Sequence, residues 1–219
     1  SSDVCSSDLK QAMKKRNSLL LSFLRYDWWK IVGVFGICSA VLALMFNYKD
    51  KLKDEEILDI FVTGTTNDLS FQPKLFESVP NNKILAVHSY SLALDDPQYN
   101  QISNANVSSV SDLFILPESV LSAHKEYFAC AKEIQDKDRI SSSYSFLNEE
   151  HFENRGIKIF DKEDDAFNKD KQFSSWFNFS ETSYLFVSSV STNSSDKSIN
   201  GKDLLLEYAY SFLDLGLAK

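Results

Sequence analysis

The hydrophobic pattern of this chain separates one uninterrupted apolar segment from a longer region of short, alternating patterns. Residues 31–46 are sixteen consecutive positions without a charge. Further along, apolar residues recur at every second position or in short runs, as in strands, or at helical spacing. The first pattern predicts one long apolar helix, and the second predicts a globular α/β domain.

The apolar segment is predicted to be a retained transmembrane helix at residues 28–48. As a helix, residues 31–46 alone span ~24 Å, slightly less than the ~30 Å of a bilayer core. Trp28, Trp29 and Tyr48 extend the segment with rings that prefer the headgroup layer, and Lys30 can reach outward to the same layer. These four residues are the predicted anchor positions.

Three alternatives to an anchor fit the segment less well. A cleaved signal peptide needs small residues at a cleavage site after the apolar run, and "LALMFNYK" offers none. A lipoprotein signal needs a small residue before its cysteine, but Ile37 precedes Cys38. A buried core helix would show a polar face, which this run lacks.

Charge next to the segment predicts its orientation. Lys and Arg are more frequent before the segment than after it, so the N-terminus is expected in the cytoplasm and the main domain outside the cell membrane. Residues 1–12 are expected to be non-native or disordered, because "DVCSSDL" resembles a translated sequencing adapter. Residues 13–27 are then a cytoplasmic juxtamembrane segment, 49–56 a charged linker, and 57–219 the extracytoplasmic domain.

The order of patterns in the main domain is β-α-β-α-β-α-β-β-α. Strands alternating with helices predict a single three-layer α/β/α domain with a mostly parallel, five-stranded sheet. Of the fourth and fifth strands, one is a candidate antiparallel member. Strands are predicted at residues 57–64, 83–93, 111–119, 156–161 and 183–191, and helices at 69–79, within 95–108 after a turn, at 119–135 and at 201–216.

Composition excludes some functions and offers little chemistry. The first 30 residues hold six Lys or Arg against three Asp or Glu, whereas the whole chain carries −8, so the rest is strongly acidic and unsuited to nucleic acid. No nucleotide-binding or nucleophile motif is present, and His88, His124 and His151 stand outside metal-binding spacings. The chain is therefore predicted to use no cofactor and to be no enzyme.

The predicted binding residues lie where strands end. In open α/β sheets, ligands gather beyond the carboxyl ends of the strands. Thr65, Thr66, Tyr90, Glu118 and Ser119 fall at such positions and supply polar contacts, although ordinary strand exits carry the same residue types. They are the candidate ligand-binding residues.

Several short motifs resemble those of a known group. "ILDIFVTGTT", "ILAVHSYSLALDDPQY", "SDLFILPESVL" and "YLFVSSVS" resemble segments of extracellular solute-binding proteins of ABC importers. The layout with "YDWWK" before one apolar helix resembles small, uncharacterised membrane-anchored proteins of Gram-positive bacteria. Solute-binding proteins close two lobes over a ligand, and this chain has room for one such lobe, so ligand capture by closure is not expected.

Three functions follow as hypotheses, in order of preference. The first is a membrane-tethered interaction or accessory module that serves a transporter or another envelope protein. The second is a small-ligand lobe for a sugar or peptide. The third is a surface hydrolase that uses Cys130 or an acidic pair, which would need a catalytic base beside its nucleophile.

Overall fold

The computed structural model describes residues 17–18, 21, 28–49, 52–80, 82–147, 154–196 and 201–217, with the backbone alone at residues 31 and 43–49. The chain divides into two compact units. One contains the N-terminal helix, and the other spans Leu52–Lys219. The boundary between them falls inside the predicted linker at residues 49–56.

The N-terminal helix, α1, spans Trp28–Lys49. Its side chains are exposed wherever the structure describes them, with Trp29 at 61% and Phe35 at 70%. Lys30 Nζ lies 5.9 Å from the centre of the Trp29 ring. The Tyr48 side chain lies outside the described residues. Among the residues described, no helix combines the length and apolar character needed to cross a membrane. The transmembrane assignment of residues 28–48 therefore stays a prediction.

The second unit is organised around one six-stranded sheet, with the spatial order β3-β1-β4-β8-β6-β5, and a separate ladder of β2 with β7. The strands, as the structure describes them, are β1 (Ile57–Thr63), β2 (Thr65–Thr66), β3 (Ala86–Leu92), β4 (Leu113–Pro117), β5 (Ser145–Phe146), β6 (Gly156–Phe160), β7 (Phe177–Asn178) and β8 (Ser183–Val187).

The sheet is mixed in direction. β1 is parallel to both β3 and β4, whereas β8 runs antiparallel to both β4 and β6, and β5 runs antiparallel to β6. All five predicted strands are present, and the fifth is the antiparallel one. Of the five predicted strands, four run in one direction and only β8 runs against them, so a mostly parallel arrangement with one antiparallel member is confirmed. The predicted number of strands is wrong, because β5 pairs with β6 and adds a sixth.

Helices cover both faces of the sheet, which gives the predicted three layers. Side chains at alternate positions of β1 enter different cores: Leu58, Ile60 and Val62 pack on one face, and Phe61 packs on the other. The α-helices of this unit, as the structure describes them, are α2 (Phe71–Ser78), α3 (Tyr99–Ala105), α4 (Glu118–Ala123), α5 (Asp165–Asn168), α6 (Phe173–Trp176) and α7 (Leu204–Gly216). The first face is covered by α2, α6 and α7, and the second by α3 and α4.

The closing helix α7 has clear start and stop signals. Asp203 Oδ1 accepts hydrogen bonds from the N–H groups of Leu205 and Leu206 at 3.1 and 3.2 Å, which caps the first turn. The helix ends at Gly216, as predicted. Close packing explains the glycine, because a Cβ there would lie 2.2 Å from the Phe173 ring.

The helix predicted at residues 119–135 is much shorter than expected. It ends at Ala123 and gives way to a 3-10 helix at Lys125–Cys130. Ala131 then forms an isolated bridge with Ser188, and the Lys132 N–H donates to the Val187 carbonyl at 2.7 Å. The end of β8 thus draws this segment into extended pairing, and that tertiary contact overrides the helical spacing of its apolar residues.

Candidate functional site

The carboxyl ends of four strands meet at one edge of the sheet. β1, β3 and β4 run in the same direction by their parallel pairing, and β6 shares that direction because two antiparallel steps through β8 restore it. We call this side the carboxyl edge and the opposite side the amino edge. The residues that follow these strands surround two cavities.

The first cavity has a volume of 620 Å³. It lies beyond the ends of β1 and β3, and the loop that leads into β8 forms part of its wall. Its mixed lining offers two carboxylates, one ammonium group, hydroxyl groups and an amide. The lining residues are Gly64, Thr65, Ala93, Leu94, Asp95, Lys162, Asn178, Ser180 and Glu181.

A glycine allows the wall of this cavity to form. Gly64 has φ +146°, and a Cβ at that position would stand 2.7 Å from the Asn178 carbonyl oxygen. The absence of a side chain lets the chain pass close to β7, where Thr65 pairs with Asn178 and Thr66 with Phe177. The glycine therefore joins the end of β1 to the opposite wall.

A buried hydroxyl pair lies in the same part of the structure. The Thr63 Oγ1 atom and the Tyr99 hydroxyl are 2.7 Å apart, and both residues are buried. Burial raises the pKa of Tyr99 to about 12, although the hydrogen bond with Thr63 acts in the opposite direction. The tyrosine therefore stays protonated at neutral pH and can serve as a hydrogen-bond donor to threonine.

The second cavity has a volume of 510 Å³ and lies beyond the ends of β4 and β6. Its lining is more strongly charged. Its residues are Glu118, Lys158, Asp161, Lys162, Glu163, Glu181, Thr182 and Tyr184.

Lys158 and Asp161 form an ion pair with each other inside the second cavity. Lys158 Nζ donates to Asp161 Oδ2 at 2.9 Å, and the Glu163 N–H donates to Asp161 Oδ1 at 3.1 Å. These bonds lower the pKa of Asp161, with the lysine contributing most. Asp161 therefore organises its own loop. No group of three or more metal-ligating side chains occurs among the described residues.

Two side chains line both cavities. Lys162 and Glu181 occur in each lining, so the cavities adjoin along the carboxyl edge. The Lys162 N–H donates to Thr182 Oγ1 at 3.1 Å, which fixes its backbone beside the start of β8. Glu181 Oε2 lies 3.4 Å from the backbone N of Ser119 and accepts its hydrogen bond.

The structure brings together most of the predicted ligand-binding residues. Thr65 lines the first cavity, Glu118 lines the second, and Ser119 bonds to the shared Glu181. Thr66 is half-buried in the β2–β7 ladder beside them. That any of them binds a ligand stays a prediction.

Tyr90 lies inside β3, opposite Phe61 in the register and two residues before the strand ends at Leu92. Its ring stacks on the Phe61 ring with centroids 6.2 Å apart. Tyr90 lines neither of the two cavities. The structure therefore does not bring Tyr90 together with the other candidates, and a ligand contact from it stays a prediction.

Sequence reasoning missed Asp95, Lys162, Asn178, Ser180 and Glu181. Asp95 lies two residues before Pro97, in a stretch that is typical of a turn. Glu181 comes just before β8. Because β8 runs antiparallel to β4 and β6, its start lies at the edge where those two strands end. Knowing that β8 reverses would have placed Glu181 in the site, but the sequence does not say which strand reverses.

Asp112, the second residue of the third predicted strand, belongs to the amino edge. It is 2% exposed. Its Oδ2 accepts hydrogen bonds from the Asp59 N–H and the Asn193 side-chain amide, both at 3.0 Å. Burial raises the pKa of Asp112, and burial followed by the charge of Asp112 raises the pKa of Asp59. The carboxyl of Asp112 joins β1, β4 and the loop after β8.

Cys130 is a half-buried free thiol. Burial, then the charge of Glu126, raises its pKa, which favours the unreactive protonated form. His124 is occupied elsewhere, because its Nδ1 is 3.0 Å from Glu126 Oε1 and its ring stacks on Tyr127. His88 Nδ1 lies 4.0 Å from Asp59 Oδ1 at the amino edge. His151 lies outside the described residues.

Comparison with known proteins finds no matching family model, no similar curated protein and no similar solved structure.

Proposed function

We propose that this protein is a non-enzymatic binding module, tethered to the cell membrane by α1, whose extracytoplasmic domain engages a transporter or another envelope protein. The observation that carries the proposal is the pair of adjoining cavities at the carboxyl edge. Their polar side chains converge from the ends of separate strands, which is where α/β domains place binding sites. We call the two cavities together the edge groove.

The tether is supported by the sequence and by the surface of α1. Residues 31–46 carry no charge, and the described side chains of the helix are exposed although most of them are apolar. A helix that is apolar on all sides needs apolar surroundings, which a bilayer supplies. The basic residues before the helix favour a cytoplasmic N-terminus.

The tether is tested by fractionation of cells that express the full chain. The wild type should sediment with membranes and resist carbonate extraction, and protease added to spheroplasts should digest the main domain. Ile37→Arg with Val41→Arg adds two charges, each costing ~3 kcal/mol in a membrane helix, so extraction should become easy. Leu69→Arg, at an exposed position of the main domain, is the control. A freely dissolved wild type would refute the tether.

The interaction is tested by site-specific photo-crosslinking in intact cells. A photoreactive residue at Ser180, which is exposed and lines the first cavity, should give one discrete adduct. The same residue at Glu77, which is exposed on α2, should give none. Equal labelling from both positions would mean that the edge groove is not the contact surface.

The small-ligand function remains a second candidate because of cavity size. A volume of 620 Å³ falls within the ~300–1,000 Å³ typical of ligand pockets. Binding of a sugar or a short peptide to the native state must raise its melting temperature. A melting screen of the full chain in detergent micelles, with each nutrient class at millimolar concentration, should then yield a hit that Asp95→Asn weakens. No shift with any class would remove this candidate.

A further inference from the structure

The edge groove carries an unbalanced set of charges. Its lining holds five carboxylates and two ammonium groups. Lys158 is committed to Asp161, so four carboxylates face a single lysine, Lys162. These four are Asp95, Glu118, Glu163 and Glu181, and none of them forms an ion pair with a described residue.

Shape and charge together restrict the occupant. The two cavities adjoin at Lys162 and Glu181, so the groove is elongated and continues from the end of β3 to the end of β6. The unpaired carboxylates are distributed over both cavities. A concave surface with a net negative charge concentrates cations, so the ligand should carry several positive charges along its length.

Lys162 distinguishes between two kinds of polycation. It stands at the junction of the cavities, where a linear polyamine would meet it with a like charge and no acceptor. An extended peptide would instead present backbone carbonyl oxygens to its ammonium group. Thr65, Asn178 and Ser180 add hydroxyl and amide groups that can bond to a peptide backbone.

We propose that the edge groove binds an extended basic segment of a partner protein, with the unpaired carboxylates receiving Lys or Arg side chains and Lys162 donating to the peptide backbone. This inference rests on the proposed function, because it names the ligand of the same site. Charge complementarity of this kind sets specificity and association rate more than affinity. Binding should therefore be fast and should weaken as salt is added.

The test uses the full chain in detergent micelles and a fluorescent nonapeptide of alternating lysine and alanine. Fluorescence anisotropy should show saturable binding, and the matched peptide of alternating glutamate and alanine should not bind. Glu118→Gln with Glu181→Gln should weaken binding by ~10-fold, the effect of two partly screened ion pairs. Glu77→Gln removes a carboxylate from α2 and should leave binding within about twofold of the wild type.

Lys162→Gln decides between a peptide and a polyamine. If Lys162 donates to a backbone carbonyl, the substitution should weaken the lysine peptide by ~3-fold or more. It should tighten binding of spermine, which Lys162 repels. If Lys162→Gln bound both the lysine peptide and spermine more tightly, the groove would recognise positive charge alone, and the peptide assignment would be overturned.

Two outcomes separate this inference from the proposed function. Equal binding of the wild type and the Glu118→Gln/Glu181→Gln variant would refute a basic ligand in the edge groove. If crosslinking at Ser180 still gave its adduct, the binding module would stand and only the ligand class would fail. If the double variant bound the peptide as well as the wild type and crosslinking at Ser180 gave no adduct, both the basic ligand and the binding module would be refuted. Melting curves of every variant confirm that each protein is folded.

Discussion

The two edges of the sheet use acidic residues in opposite ways. At the amino edge, Asp112 is buried and accepts hydrogen bonds from Asp59 and Asn193. At the carboxyl edge, Glu118 and Glu181 are at least partly exposed and form no ion pair with a described residue. Acidic residues at the first edge hold strands together, whereas those at the second leave their charge available. The contrast fits a structural role for the amino edge and the binding role that we propose for the carboxyl edge.

The strongest test of the contrast is Asp112→Ala. The substitution removes the acceptor of the Asp59 N–H and one of the two acceptors of the Asn193 amide, which keeps its bond to the Ile57 carbonyl. Leaving such groups unsatisfied should lower the free energy of unfolding by ~2–4 kcal/mol. Urea denaturation of the full chain in micelles measures the change. Asp112→Asn keeps an acceptor oxygen and should cost less; equal losses from both variants would mean that the hydrogen bonds are not the cause.

Gly64→Ala tests how the carboxyl edge is built. The new Cβ would stand 2.7 Å from the Asn178 carbonyl oxygen, at a φ of +146° that suits glycine. We expect a loss of ~1–3 kcal/mol in unfolding free energy, and weaker binding of the lysine peptide because the wall of the groove must move. Gly201→Ala is the matched control, because Gly201 also has positive φ, at +74°, but has open space around its Cβ position. Equal costs would place the effect in the backbone conformation alone.

The amino edge should also respond to pH. Burial raises the pKa of Asp112 and of Asp59 in the folded chain, so the native state holds these protons more tightly than the unfolded state. The resulting stabilisation is complete below the unfolded value near 3.8 and is lost as pH rises through the folded pKa. Relative to Asp112→Asn, the wild type should therefore gain stability as pH falls from 7 towards 4. Parallel melting-temperature profiles for the two proteins would contradict this.

The smallest expected effect on stability belongs to the carboxyl edge. Glu118→Gln and Glu181→Gln should each change the unfolding free energy by no more than ~0.5 kcal/mol, as is usual for surface positions. A binding surface differs from a structural one in this respect, since its charges are replaceable without loss of the fold. A loss above ~2 kcal/mol for either variant, measured by the same urea titration, would show that the two edges are not functionally different.

Local sequence accounts well for the main strands and poorly for the shortest strands and for the length of one helix. Alternation and short apolar runs located all five main strands, because a strand that packs on a core must show that pattern. β2, β5 and β7 are two residues each and carry too little pattern to be recognised. β2 and β7 pair with each other where Gly64 allows a close approach, and β5 pairs with β6. The 119–135 helix was overestimated because pairing with the end of β8 competes with helical spacing.

The residues of the candidate site also divide into those that local sequence identified and those that depend on the arrangement of the sheet. Thr65, Glu118 and Ser119 were identified because they follow predicted strands, and position after a strand is a local property. Tyr90 lies within β3 and lines neither cavity. Glu181 and Lys162 depend on the reversal of β8 and on the order of strands in the sheet, which are set by contacts between distant segments.

The sequence by itself determined an apolar N-terminal helix, an acidic α/β domain and the approximate position of each main strand. Periodicity and charge are written in neighbouring residues, so these features need no knowledge of the rest of the chain. Only the tertiary structure decided that Asp112 is buried at one edge while Asp95 and Glu181 converge at the other. Burial and convergence arise from packing between segments far apart in sequence, and no local pattern encodes which segments will meet.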